Sequence, residues 1–207
     1  MNIFVVYCHP SSDSFTKTVL DTFVIQCREN GHFVEVSDLY NIKFSTDMTE
    51  EEYLREANYD EDYKLNQDVI EEQNKINKSD VIVFIYPVFW TEAPAKLVGW
   101  FDRVWTYGFA YGSKQMKYLS KSIFLCVAGR TIDHLRIHGQ FDSMKNVMIG
   151  DRMHERAKVN KMYILDGMSK ANADLRNANY TIHIETVRQV ANTIDNNYEE
   201  PNLGIDL

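Results

Sequence analysis

Three short stretches of this chain hold residues whose types could do chemistry. His9-Pro10-Ser11-Ser12-Asp13-Ser14 places an imidazole and several hydroxyls just before Phe15. Hydroxyls at the start of a helix can donate to a phosphate, which the helix's unpaired N–H groups and positive dipole end also attract. Pro87-Val88-Phe89-Trp90 offers aromatic walls and backbone donors. Gly129 to Gly139 (GRTIDHLRIHG) offers glycines, His134 and His138. Imidazole titrates near neutrality and can give or accept a proton. One loop for phosphate, one for stacking and one for protons suits a flat ring with a phosphate tail. The chain has neither a glycine-rich dinucleotide fingerprint nor a Walker motif.

The flanking residues predict the elements that position these loops. Asn2 to Cys8, Val81 to Tyr86 and Ser122 to Ala128 are apolar runs without polar alternation, the pattern of strands buried on both faces. Phe33 to Val36 is a further strand, and Lys161 to Leu165 a short fifth one. Ser14 is the expected N-cap of an amphipathic helix from Phe15 to about Asn30, with Gly31 as its stop. Pro87 ends the third strand. Pro94 suits the first turn of a helix to about Tyr107, with Leu97, Trp100, Phe101 and Val104 as core. Asp47 to Ala57 predicts a short helix with Thr49 as cap and Glu52 at the capping-box position. Asn66 to Asn77, Phe141 to Lys158 with a break near Gly150, and Thr181 to Ile194 predict the remaining helices. Strands interleaved with helices imply right-handed crossovers and a parallel sheet. Its loops after strands 1, 3 and 4 then converge at one end, where ligands bind in such sheets.

The residues also carry a family likeness. Pro87-Val88-Phe89-Trp90, Pro94-Ala95, Gly99-Trp100-Phe101-Asp102-Arg103-Val104 and Phe109-Ala110-Tyr111 resemble the flavin-dependent NAD(P)H:quinone oxidoreductases at the same spacings. His9, Ser14 and Phe15 match that family's pyrophosphate loop, and Thr16 stands where many members have Asn. Ile137-His138-Gly139 matches as well, but Val127-Ala128-Gly129-Arg130 keeps only the first glycine of a T-T-G-G segment, and no tyrosine lies between Gly129 and Gly139. The resemblance implies an α/β, flavodoxin-like doubly wound sheet of five parallel strands, order 2-1-3-4-5, with helices on both faces. It implies His9, Ser14, Phe15, Thr16, Pro87, Val88, Phe89, Trp90 and Gly129 as cofactor-binding residues. His138 is the implied catalytic residue, with a structural or substrate-facing role as the alternative and His134 in reserve. His9 alone reads equally as a turn histidine.

Composition sets outer bounds. The 207 residues suit one domain, expected over 1–195 with a polar tail at 196–207. The net charge of −8 argues against nucleic acid as partner. Twelve acidic and three basic residues fall between Asp38 and Glu72, so the rest is near neutral. That acidic stretch, about 43–66, reads as a solvated excursion, with a lid over the site as the alternative. No apolar run approaches the length of a membrane span. The direct start into a strand suggests no secretory signal. Three cysteines (Cys8, Cys27, Cys126) fit no disulfide framework or metal spacing, and a reducing cytoplasm is expected.

The function implied by the resemblance is hydride transfer from NAD(P)H through bound flavin to a quinone or similar flat electron-poor acceptor, by a ping-pong cycle. FAD is favoured over FMN, and a homodimer with shared sites is expected, Tyr107 to Tyr111 being a candidate contribution to the partner's site. The alternatives are an azo, nitro or general flavin reductase, a flavin-bound ancillary subunit of a potassium-efflux system, and a flavodoxin-type electron carrier.

Overall fold

The computed structural model describes residues 1–196; the expected tail lies, beyond its first residue, outside them. In chain order the elements are β1 (Asn2–Tyr7), α1 (Phe15–Glu29), β2 (Phe33–Asp38), α2 (Glu50–Ala57), α3 (Gln67–Lys78), β3 (Val81–Pro87), α4 (Ala95–Val104), β4 (Leu119–Val127), α5 (Ile132–Ile137), α6 (Gln140–Lys145), a π-helical segment (Asn146–Arg152), β5 (Ala157–Leu165) and α7 (Ala173–Asn192). The five strands pair in parallel in the order β2-β1-β3-β4-β5, as expected. Alternate strand residues feed two cores. Phe4, Val6, Ile82, Phe84, Tyr86 and Phe124 pack with Trp100, Phe101 and Val104 of α4. Ile3, Val5, Val83, Ile85 and Leu125 pack with Phe23 of α1 and Val187 of α7. Both faces are dry, which is why these strands read as unbroken apolar runs.

Ser14 caps α1, its Oγ accepting the Lys17 N–H at 3.1 Å, and Gly31 follows the helix at φ 81°. Thr49 and Glu52 form the capping box of α2. Several boundaries differ from expectation. α4 stops at Val104, because the Gln73 amide takes the Val104 carbonyl at 3.0 Å and Trp105 turns its indole N–H to the Arg152 carbonyl at 2.6 Å. β5 begins at Ala157, not Lys161; it is an edge strand, so its first residues can be polar and still pair with β4. The chain passes Gly150 without a break, in a π-helical turn that buries Met148. α7 starts at Ala173, eight residues before the apolar periodicity shows, because its first turns are half-exposed and Asn172 caps the Leu175 N–H. The stretch after β4 contains α5.

The acidic excursion is docked. Arg103 of α4 is buried and donates to Glu52 at 2.7 Å, to Asp68 at 2.5 Å and to the Ser45 carbonyl at 2.9 Å. A Cβ on Gly99 would sit 2.3 Å from the Thr46 carbonyl oxygen, so only glycine lets α4 lie this close to the excursion. Glu56 then accepts from the Tyr107 N–H at 2.7 Å and the Tyr111 hydroxyl at 2.5 Å.

Candidate functional site

The loops after β1, β3 and β4 meet at the carboxyl end of the sheet, and the loop after β5 joins them. Between them lies a two-lobed cleft. One lobe, about 400 Å³, is lined by His9, Ser14, Phe15, Thr16, Pro87, Val88, Phe89 and Gly129. The other, about 760 Å³, is lined by Val88, Trp90, Thr91, Gly129, Arg130, Thr131 and His134. Val88 and Gly129 belong to both, so all nine expected cofactor-binding residues share one cleft. Volumes of this size suit a small-molecule site. His138 is not among the lining residues of either lobe, and neither is any residue of the acidic excursion.

The first lobe is built for an anion. It opens onto the N-terminal end of α1, with its positive dipole. The Nδ1 of His9 lies 3.0 Å from the Ser11 N–H nitrogen and 2.9 Å from the Ser11 carbonyl oxygen, so either tautomer ties the ring to the backbone of this turn. Burial holds His9 below the ordinary imidazole range and favours the neutral ring. Lys170 and Arg176 also line this lobe. Among the described residues neither makes an ion pair, nor does Arg130 in the second lobe. Asp13 lines the first lobe as well, so three cations face one carboxylate and the acidic chain presents a cleft of net positive charge. Lys170 and Arg176 are not legible as site residues in the sequence, because they follow β5 and carry no motif; their place between a strand end and a helix is the one available signal.

The aromatic loop is a two-residue hairpin turn. Phe89 donates its N–H to the Glu92 carbonyl at 2.8 Å, and Glu92 returns the bond at 2.9 Å. Trp90 and Thr91 between them have φ of 52° and 68°. Such turns favour Asn-Gly, since side chains at positive φ are strained by about 1–2 kcal/mol each. The turn holds Trp90 with its side chain wholly exposed beside the cleft, next to the partly exposed Phe89. Strain tolerated at a ligand-sized cleft points to function.

α5 is fastened from β5. The Ile132 N–H donates to Asp166 at 2.8 Å, and the Gly167 N–H to the Arg130 carbonyl at 3.0 Å. The backbone carbonyl of Asp166 receives the buried His183 at 2.8 Å. Thr131 caps the helix by accepting the His134 N–H at 3.3 Å. Gly129 is not forced by crowding: a Cβ there would meet Ser169 at an ordinary 3.6 Å. Its missing side chain instead leaves room in the cleft.

A family model described as flavodoxin-like fold matches residues 1–148. The chain belongs to that family. This flavodoxin-like chain is 38% identical to an NAD(P)H:quinone oxidoreductase from Methanothermobacter marburgensis, with a TM-score of 0.89 over 97% of this chain and 99% of that one. It is 33% identical to a ribosyldihydronicotinamide dehydrogenase-like protein of Penicillium crustosum, over 54% of this chain and 46% of that protein. The matches span about half the length of the first curated relatives. An FMN-dependent NADH-azoreductase from Bacillus anthracis, solved with FMN, shares the fold at 14% identity and a TM-score of 0.61, over 92% of this chain and 100% of that one. Among the described residues no helix is long and apolar enough to cross a membrane, and no group of three or more His, Cys, Asp or Glu could hold a metal.

Proposed function

We propose that this chain binds a flavin in the two-lobed cleft and reduces a quinone, or a similar flat electron-poor acceptor, at the expense of NAD(P)H. The observation that carries the reading is the juxtaposition of an exposed Trp90 on a strained turn with a cationic lobe at the N-terminus of α1. A bound flavin would supply the hydride relay, the part of the chemistry that protein side chains cannot perform. The residues fit it. Ser14, the first N–H groups of α1, Lys170 and Arg176 would hold the phosphate end, with His9, Phe15 and Thr16 shaping the lobe. Pro87, Val88, Phe89 and Trp90 would wall the ring, and their backbone donors would favour the anionic reduced form. Gly129 leaves space opposite them. FAD is the form we favour, since two cations suit two phosphates; FMN, which the azoreductase neighbour holds, is the competing form. An imidazole of α5 would manage the acceptor's proton.

No residue of the Tyr107 to Tyr111 turn lines the cleft of its own chain. Phe109 and Ala110 of that turn are buried, while Tyr107 and Tyr111 at its ends stay partly exposed; in the homodimer we favour, these two tyrosines would be its contribution to the partner's site. Activity in a cytoplasmic setting fits three buried, unpaired cysteines.

Donor and acceptor would use the same cleft in turn. Steady-state rates at varied NAD(P)H and quinone should therefore give parallel double-reciprocal lines. Intersecting lines would show both substrates bound together and would contradict a shared site.

A further inference from the structure

Arg130 stands where the T-T-G-G pattern of the resemblance breaks, in place of its second glycine. It lines the larger lobe, about 760 Å³, with Trp90, Thr131 and His134. Among the described residues its guanidinium makes no ion pair and no hydrogen bond; only its backbone carbonyl is engaged, accepting the Gly167 N–H at 3.0 Å. No Asp, Glu or Lys lines this lobe among the described residues. Partial burial, helped by His138 and Arg130, holds His134 below the ordinary imidazole range, so at neutral pH Arg130 is the charge of the lobe.

The neutral side chains around it share that preference. The Thr131 hydroxyl oxygen accepts the His134 N–H at 3.3 Å, the Ser169 hydroxyl oxygen accepts the Ala171 N–H at 3.2 Å, and the Asn172 side-chain carbonyl accepts the Leu175 N–H at 3.2 Å. Each bond occupies an acceptor and leaves the O–H or NH₂ donors of that group unspent. A flat apolar ring has no use for such donors. An oxyanion does, and a guanidinium takes a carboxylate, sulfonate or phosphate through two parallel N–H···O bonds. The first lobe is different: there Lys170 and Arg176 lie with Asp13, at the end assigned to the cofactor's own phosphates.

We propose that Arg130 recognises an anionic group on the substrate that enters the second lobe, a carboxylate, sulfonate or phosphate carried beside its flat ring. The inference rests on the hydride-transfer reading for what enters the lobe. Two substrates can bring this chemistry: an acceptor with an acidic substituent, or a reduced nicotinamide dinucleotide with the extra ribose phosphate. The two half-reactions separate them, since each involves one substrate alone.

Arg130→Met removes the charge and keeps most of the side chain's length. The side chain holds no other part of the fold, so the unfolding midpoint and flavin content check the variant. In stopped-flow reoxidation, a naphthoquinone sulfonate should lose at least about fivefold more rate than the parent naphthoquinone, a modest effect because the guanidinium is open to solvent. That result assigns the anion to the acceptor. The same selective loss for NADPH over NADH, in flavin reduction, assigns it to the donor instead. Arg130→Lys should keep part of the selectivity, and added salt should erode it. Equilibrium binding gives a readout apart from turnover. Calorimetry on the oxidised protein compares naphthalene sulfonate with its neutral sulfonamide, and NADP⁺ with NAD⁺. In the pair that matches the substrate, preference for the anionic member should shrink at least about fivefold in Arg130→Met. If Arg130→Met affects the charged and neutral members of every pair alike, the proposal is overturned. Failure of the unmodified protein to bind flavin would sink the proposed function instead, and the calorimetric comparison would still decide whether Arg130 takes an anion.

Discussion

Arg103→Met is expected to lower folding stability by about 3–5 kcal/mol, the usual cost of removing one partner from a buried ion pair. Arg103 is 4% exposed, and its guanidinium is shared among Glu52, Asp68 and the Ser45 carbonyl. Burial alone would lower its pKa, but Asp68 and Glu52 more than reverse this. Methionine fills much of the same volume and leaves Glu52 without its cation. For Glu52, burial would raise the pKa, yet the bonds to Arg103, Thr49 and Asn66 hold it below the ordinary glutamate range. A depressed carboxylate contributes stability that is present above its unfolded value, near 4.5, and is lost as pH falls through the lower folded value. The wild-type protein should therefore lose stability on acidification below that region. Arg103→Met should show less of this acid dependence, and Arg103→Lys, which keeps the charge without the fork, should fall between. Urea unfolding at several pH values measures all three. A loss under about 1 kcal/mol in Arg103→Met would mean that packing, not this cluster, holds the excursion.

Trp90→Ala should weaken flavin binding by ~1–3 kcal/mol, roughly 5- to 150-fold, the combined worth of ring stacking and apolar cover. The side chain is fully exposed in the protein alone, so nothing in the core is disturbed and the unfolding midpoint should not move. That separation makes the variant informative. Unchanged flavin affinity in Trp90→Ala would leave the strained turn unexplained by cofactor binding. Substituting Phe should restore much of the affinity, because it keeps an aromatic face.

Much of the frame is legible in the sequence because it is local. Buried strands announce themselves as apolar runs, and Ser14, Gly31, Thr49 and Glu52 mark helix ends by side-chain chemistry that acts over a few residues. The first three loops could be named because they follow such strands. What escaped depends on contacts far apart in the chain. Arg103 meets Glu52 across 51 positions, and nothing near either residue foretells it. α7 begins in polar residues because Asn172 starts it, not an apolar face. β5 is a half-solvated edge whose polar first residues hide its pairing. The cations of the cleft lie beyond β5, where no motif pointed. His134 and His138 look alike on paper; only the turn of α5 separates the one that faces the cleft from the one that does not.

The central claim is that the cleft holds a flavin. The most direct measurement is a titration of the purified chain, stripped of any bound cofactor, with FAD and separately with FMN, followed by flavin fluorescence and absorbance. The account predicts saturation at one flavin per chain, with FAD the tighter of the two. No saturable binding of either flavin by the folded protein would contradict it.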